Sequence, residues 1–181
     1  MILNLKTMRK AYVEAKNQIM PYKITRGFTK NLVMHYSSVY PLVGVEVGVQ
    51  QGFNAFNILN RLNVETLYLV DLSLADARSF LVKYEDCVVF LEGKSELMIE
   101  ELPCNLDFGY IDASHVKCFV EKDIGILWTK IKPNGVMGGH DFDLSHRGVV
   151  DAVLEFKDKN NLILYGDEKD WWFYKPGIEV V

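Results

Sequence analysis

Val43-Gly44-Val45-Glu46-Val47-Gly48-Val49-Gln50-Gln51-Gly52-Phe53-Asn54 joins a β-branched run to a helical pattern through two glycines. The valines favour a strand, and Asn54 is a residue suited to cap the helix that follows. A carboxylate inside a buried strand is costly, so Glu46 belongs at the strand's end, facing a ligand or backbone amides. Gly48 and Gly52 remove side chains where the chain turns sharply and let a ligand approach the backbone. This strand–turn–helix predicts a crevice for a nucleotide-like ligand.

Outward from it, a regular alternation runs to the C-terminus. Strands are expected at 43–47, 66–71, 87–91, 106–112 and 136–140. Helices are expected at 54–62, 74–83, 95–102 (Ser95 a candidate cap), 116–131 (stopped by Pro133) and 148–159. Strands at 162–165 and 171–174, with Gly166-Asp167 between them, read as a closing antiparallel hairpin. The fold class is α/β, a doubly wound, Rossmann-like, mostly parallel sheet of about seven strands. Residues 5–20 read as an amphipathic helix closed by Pro21. Residues 1–41 are thus an N-terminal helical extension, and 42–181 are the ligand-binding domain. Tyr22, Phe28, His35, Tyr36 and Tyr40 are candidate lid residues. Trp128 and Trp171–Tyr174 read as packing.

The chain has 181 residues, 49% hydrophobic and 24% charged, with a formal net charge of −4. That is globular composition without a basic footprint for nucleic acid. The basic residues of the first 30 positions read as a solvated helix face. No apolar run reaches the roughly 18 residues of a membrane span, and the N-terminus lacks the order of a signal peptide. Cys87, Cys104 and Cys118 show no metal or redox spacing and read as buried, reduced thiols. A cytoplasmic protein is the expectation.

In open α/β sheets ligands bind beyond the carboxyl ends of the strands. Here those ends carry Glu46, Asp71, Glu92, Asp112 and the pair His140-Asp141. Asp71 lies about 20 residues beyond the glycine turn, the offset at which an acid accepts hydrogen bonds from a ribose diol. The second close glycine of a dinucleotide fingerprint is replaced by Gln50, which disfavours NAD and suits a ligand without phosphate. Asp112 and His115 are three apart and can overlook one pocket, where an imidazole ordinarily serves as a base near neutral pH. Converging carboxylates suit a hard divalent cation such as Mg²⁺. His115, His140 and a carboxylate would instead make an iron-type set.

These motifs together resemble the class I S-adenosylmethionine (SAM)-dependent methyltransferases. Glu46-Val47-Gly48-Val49-Gln50-Gln51-Gly52 is similar to their first motif, and Asp71 to their ribose-binding acid. Ile111-Asp112-Ala113-Ser114-His115, Lys132-Pro133-Asn134-Gly135, Gly139-His140-Asp141 and Gly148-Val149-Val150-Asp151-Ala152-Val153 resemble, in order, motifs of a small-methyltransferase branch. The resemblance implies cofactor contacts at Glu46, Gly48, Val49, Gln50, Gly52, Phe53, Asn54, Asp71, Leu72, Gly93, Lys94, Ser95 and Asp112. It implies catalysis by His115 and Asp112, with Asp112, Asp141 and His140 as metal ligands in the manner of Mg²⁺-dependent relatives that methylate sugar hydroxyls. Lys94 stands where the family often has an acid, and Asn134 where it has a glycine.

The implied activity is O-methylation of a small-molecule or sugar-like acceptor, with residues 1–41 as lid and no membrane or nucleic-acid partner. A homodimer through the N-terminal helix is compatible. The rival readings are an NAD-dependent oxidoreductase and a non-catalytic SAM-binding module.

Overall fold

The computed structural model describes residues 25–36 and 40–177. The helix expected over 5–20, and Tyr22, lie outside them. Five strands run parallel: β1 (Leu42–Val47), β2 (Val64–Asp71), β3 (Val88–Glu92), β4 (Leu106–Ile111) and β5 (Ile131–Gly139). The sheet order is β3-β2-β1-β4-β5-β7-β6, where β6 (Tyr165–Asp167) and β7 (Asp170–Tyr174) form the antiparallel hairpin. This is the doubly wound α/β sheet the alternation predicts.

Helices cover both faces, which is why the central strands are apolar throughout. On one face α1 (Gly27–Tyr36), α2 (Phe53–Arg61) and α3 (Ala75–Phe80) bury Phe28, Leu32, Ile58 and Ala77 against Leu67, Leu69, Phe108 and Trp172. On the other, α4 (Ser95–Glu100), α5 (Lys117–Lys130) and α6 (Arg147–Lys159) bury Ile99, Ile124, Leu127 and Val153 against Val45, Val47, Met137 and Phe173. Trp171 and Phe173 are buried, and Trp128 packs edge-on to Phe156, so the aromatic residues fill the core as read from the sequence.

Several local expectations are corrected. Asn54 is not the helix cap: Gly52, at φ 84°, takes that position, and the Asn54 side chain turns inward to Glu46. The cap position of α4 falls on Lys94 rather than Ser95, without a side-chain bond. The 74–83 helix stops at Phe80 and is followed by a 3₁₀ turn over Val82–Cys87, so β3 begins at Val88. Helix α5 ends at Lys130, and Pro133 lies inside β5 at an irregularity of the β4–β5 register. There Asn134 adopts φ 63°, the left-handed turn that made Asn tolerable in place of glycine. The hairpin turn is Glu168-Lys169, with Glu168 at φ 57°; Gly166 and Asp167 are paired strand residues. Leu162 and Leu164 pack against the second core cluster without joining the sheet.

Helix α1 is part of the core and not a cover over it. Phe28 is fully buried with its ring 4.9 Å from Tyr110, and the Tyr36 hydroxyl donates to the Asp107 carbonyl at 2.5 Å. His35, Tyr36 and Tyr40 line a cavity with Lys132 and Asn134 at the amino ends of β4 and β5, the end of the sheet opposite the crevice. Cys87 is half-buried, and Cys104 and Cys118 are exposed, against the expectation of buried thiols. Cys118 falls off the Val120–Ile124–Leu127 stripe that α5 turns to the sheet. Among the described residues no helix is long and apolar enough to cross a membrane.

Gly138 of β5 lies between the Trp171 carbonyl and the Phe28 ring, and an added Cβ would overlap both. Gly138→Ala is therefore expected to cost about 1–3 kcal/mol through overpacking. Urea denaturation reads this as a lowered midpoint; an unchanged midpoint would contradict the packing.

Candidate active site

The strand order reverses between β1 and β4, so the chain leaving β1 crosses to one face and that leaving β4 to the other. The two turns separate and leave a crevice, where ligands of this architecture bind. Gly48, at φ 87°, packs directly on the Asp112 carbonyl, where a Cβ would overlap backbone. The Asp112 N–H donates to the Val47 carbonyl at 2.7 Å, and the Gly48 N–H to that of Val70 at 2.8 Å. A cavity of about 460 Å³ opens above these turns, a size that suits a small-molecule ligand. Of the expected cofactor residues, Gly48, Gln50, Asp71, Leu72, Gly93, Lys94, Ser95 and Asp112 line it.

The others stand behind that wall. Val49 and Asn54 are buried, Gly52 packs on Leu81, and Phe53 meets Phe80 edge-on at 5.0 Å. Glu46 is 1% exposed; Asn54 Nδ2 donates to its Oε1 at 3.2 Å, while Oε2 has no hydrogen-bond partner. Burial pushes its carboxyl up to about 8, against the opposing pull of the Arg26 charge and the Asn54 bond. Glu46 therefore supports the turn from below as a neutral acid. Asp71 braces the same turn, its Oδ2 accepting the amides of Val49 at 2.7 Å and Gln50 at 2.9 Å. A carboxylate has about four acceptor positions, so bracing leaves room for a ligand hydroxyl.

Sequence reasoning missed Phe119, which contributes an aromatic wall from the first turn of α5. A Phe four residues past His115, just beyond a candidate site loop, was the available signal.

Beside the cavity lies a cluster of charged groups. The β4–α5 turn carries Asp112 and His115, and the turn after β5 carries His140 and Asp141. Asp141 is held at φ 61°. Its Oδ2 lies 2.7 Å from His115 Nε2, and its Oδ1 lies 3.0 Å from His140 Nδ1. Gly148, at the start of α6, packs on the His115 carbonyl and fixes the height of that turn. His146, which the sequence reading did not single out, packs its ring at a tilt 4.2 Å from that of His115, with its buried Nδ1 3.6 Å from Asp141 Oδ1.

The largest omission from the sequence reading is Arg26. Its Nη1 donates to the Tyr110 hydroxyl at 2.6 Å and contacts Asp112 Oδ2 at 2.7 Å. Tyr110 in turn donates to Asp170 Oδ1 at 2.8 Å, and Asp170 Oδ2 accepts the Phe28 N–H at 2.8 Å, which ties the start of α1 to β7. No motif marks Arg26; only the fold brings it 86 positions along the chain to Asp112.

Among the described residues two donor groups could hold a metal, Asp112–His140–Asp141 and His115–Asp141–His146, each with ligand atoms within 4.8 Å of one another. They share Asp141 alone, so His115 and His140 do not form the iron-type set with one carboxylate. Mg²⁺ takes oxygen ligands in near-ideal octahedral geometry, whereas imidazole suits later transition metals. Each group here contains a histidine, and Asp112 is already paired with Arg26. The residues present do not fit Mg²⁺.

Residues 45–142, more than half of the chain, match a family model described as a methyltransferase domain. The chain belongs to that family. No curated protein matches it. Among solved structures, the O-methyltransferase NovP is 18% identical with a TM-score of 0.67, covering 82% of this chain and 79% of its own. An rRNA methylase from Streptococcus thermophilus is 12% identical at 0.66, covering 84% and 98%. MycE from the mycinamycin biosynthetic pathway, in complex with Mg and S-adenosylhomocysteine (SAH), is 13% identical at 0.66, covering 93% and 56%. At these identities the neighbours establish the fold. The protein is a class I SAM-dependent methyltransferase, and the oxidoreductase reading is set aside.

Glu46 makes the stability of this methyltransferase pH-dependent in a defined direction. The folded chain keeps the Glu46 proton up to about 8, while an unfolded carboxyl releases it near 4.5. The contribution is complete below the unfolded value and is lost as pH rises through the folded one. Thermal denaturation should find wild type and Glu46→Gln alike at acid pH, with the variant the more stable at alkaline pH. Parallel pH profiles would contradict a neutral Glu46.

Proposed function

We propose that this methyltransferase moves the SAM methyl group to a hydroxyl oxygen of a small-molecule or sugar-like acceptor, with His115 as the base. The observation that carries this reading is the 2.7 Å contact between His115 Nε2 and Asp141 Oδ2 beside the cavity. With the proton on Nε2 donated to Asp141, Nδ1 is left to accept. His115 removes the acceptor proton, the freed oxygen attacks the sulfonium methyl, and the C–S bond breaks to give SAH. Asp141 orients the imidazole and balances the charge it gains. The rest of the rate comes from alignment of donor and acceptor.

For the cofactor, the resemblance and the cavity lining together support the methionine part over Gly48 and Gln50, and the ribose on Asp71. The adenine would lie between Gly93-Lys94-Ser95 and Phe119, and the sulfonium near Asp112. A net charge of −4 and the carboxylates around the cavity argue against a polyanionic acceptor such as RNA. Mg²⁺ assistance has no support in the donor set, and no step is routed through it.

Calorimetry should detect binding of both SAM and SAH, and the absence of heat with either would remove the cofactor assignment. Replacing His115 by alanine should leave SAH affinity within about twofold while turnover, in a screen of hydroxylated acceptors with labelled SAM, falls roughly 10²–10⁴-fold. Undiminished turnover in that variant would exclude His115 as the base.

A further inference from the structure

We infer that Arg26 occupies the place a divalent cation would take in this crevice, pairing permanently with Asp112 so that methyl transfer here needs no metal. The inference rests on the O-methyltransferase reading of the same site. It concerns a residue that lies outside the matched domain and outside every motif in the sequence.

Three observations support it. First, Arg26 is aimed by a rigid element. Phe28, two residues on, is fully buried, and its amide is fixed by the buried Asp170 carboxylate. The guanidinium has little freedom to leave. Second, its partners are those a cation would want. Asp112 ends β4 over the cavity, and Nη1 reaches both its Oδ2 and the Tyr110 hydroxyl, at 2.7 and 2.6 Å. A guanidinium stays protonated at any working pH, so the positive charge beside Asp112 is fixed.

Third, the remaining ligands are engaged within the protein. Asp141 serves His115 and His140, at 2.7 and 3.0 Å. A divalent ion at Asp112 would have to displace Arg26 or sit against it, and like charges at this spacing repel. Nη1 is saturated by its two contacts, while a guanidinium carries five N–H groups. Among the described residues nothing bonds to Nε or Nη2, so their three N–H groups are available to meet negative charge that develops on an acceptor oxygen, the work a Lewis-acidic ion does elsewhere.

The test is Mn²⁺ binding, followed by electron paramagnetic resonance, on the full chain, with SAH calorimetry alongside. Wild type should show no Mn²⁺ site that depends on Asp112 at millimolar ion. Arg26→Met should uncover one at Asp112, His140 and Asp141, roughly tenfold tighter or more. Arg26→Lys, which keeps the charge, should not. Adding Asp112→Asn to Arg26→Met should abolish the new site. A wild-type Mn²⁺ site lost in Asp112→Asn would overturn the inference, even if Arg26→Met failed to fold. So would an Arg26→Met protein that binds SAH yet gains no ion. Loss of SAH binding in wild type would instead strike the methyltransferase reading, so the two failures are distinguishable.

Discussion

Everything at the crevice depends on one close approach, the packing of the Gly48 backbone on the Asp112 carbonyl. Two neighbouring parallel strands leave the sheet toward opposite faces at that point, and their turns can be this close only because one of them has no side chain. The contact sets the floor of the cavity. It also sets the spacing between the two loops that carry the chemistry, one braced by Asp71 and the other bearing Asp112 and His115. The buried, neutral Glu46 lies under the first loop, which explains an acid in an apolar strand without a charge in the core.

Around that floor the electrostatics are arranged about Asp141 and Asp170. Asp141 gathers His115, His140 and His146 at the end of β5, and its left-handed backbone turns the carboxylate toward them. Asp170 is the buried counterpart, tying α1 to Tyr110 and so determining where Arg26 points. The charged cluster is in this way an extension of the fold: the helix that buries Phe28 and Leu32 also delivers a guanidinium to Asp112. A cation covalently part of the chain differs from a bound ion in one respect, that it cannot be chelated away.

The sheet, its parallel centre and its terminal hairpin were legible in the sequence because apolar strands and turn residues alternate without interruption from position 42. The strand-end carboxylates were legible for the same reason, since the architecture dictates where strand ends meet. What escaped were features that depend on long-range placement. Arg26 and His146 sit in no motif. Phe28 and Tyr36, read as lid aromatics, are core residues because α1 packs onto β7, a contact no local pattern encodes. The hairpin turn was misplaced because Gly166 is a stronger turn signal than Glu168, yet tertiary pairing of Gly166 with Trp171 decided the register. Asn54 was read as a cap, while burial of Glu46 required its amide elsewhere.

The central claim is that the cofactor lies over the Gly48–Asp112 contact, and titration of Gly48→Ala with SAH tests it most directly. Gly125, on the open side of α5 where an added Cβ meets nothing within 4 Å, provides the control. The account predicts that Gly125→Ala binds SAH as wild type does, while Gly48→Ala remains folded and loses SAH affinity by roughly tenfold or more, a cost of about 1.4 kcal/mol or above. Wild-type SAH affinity in a folded Gly48→Ala protein would contradict it.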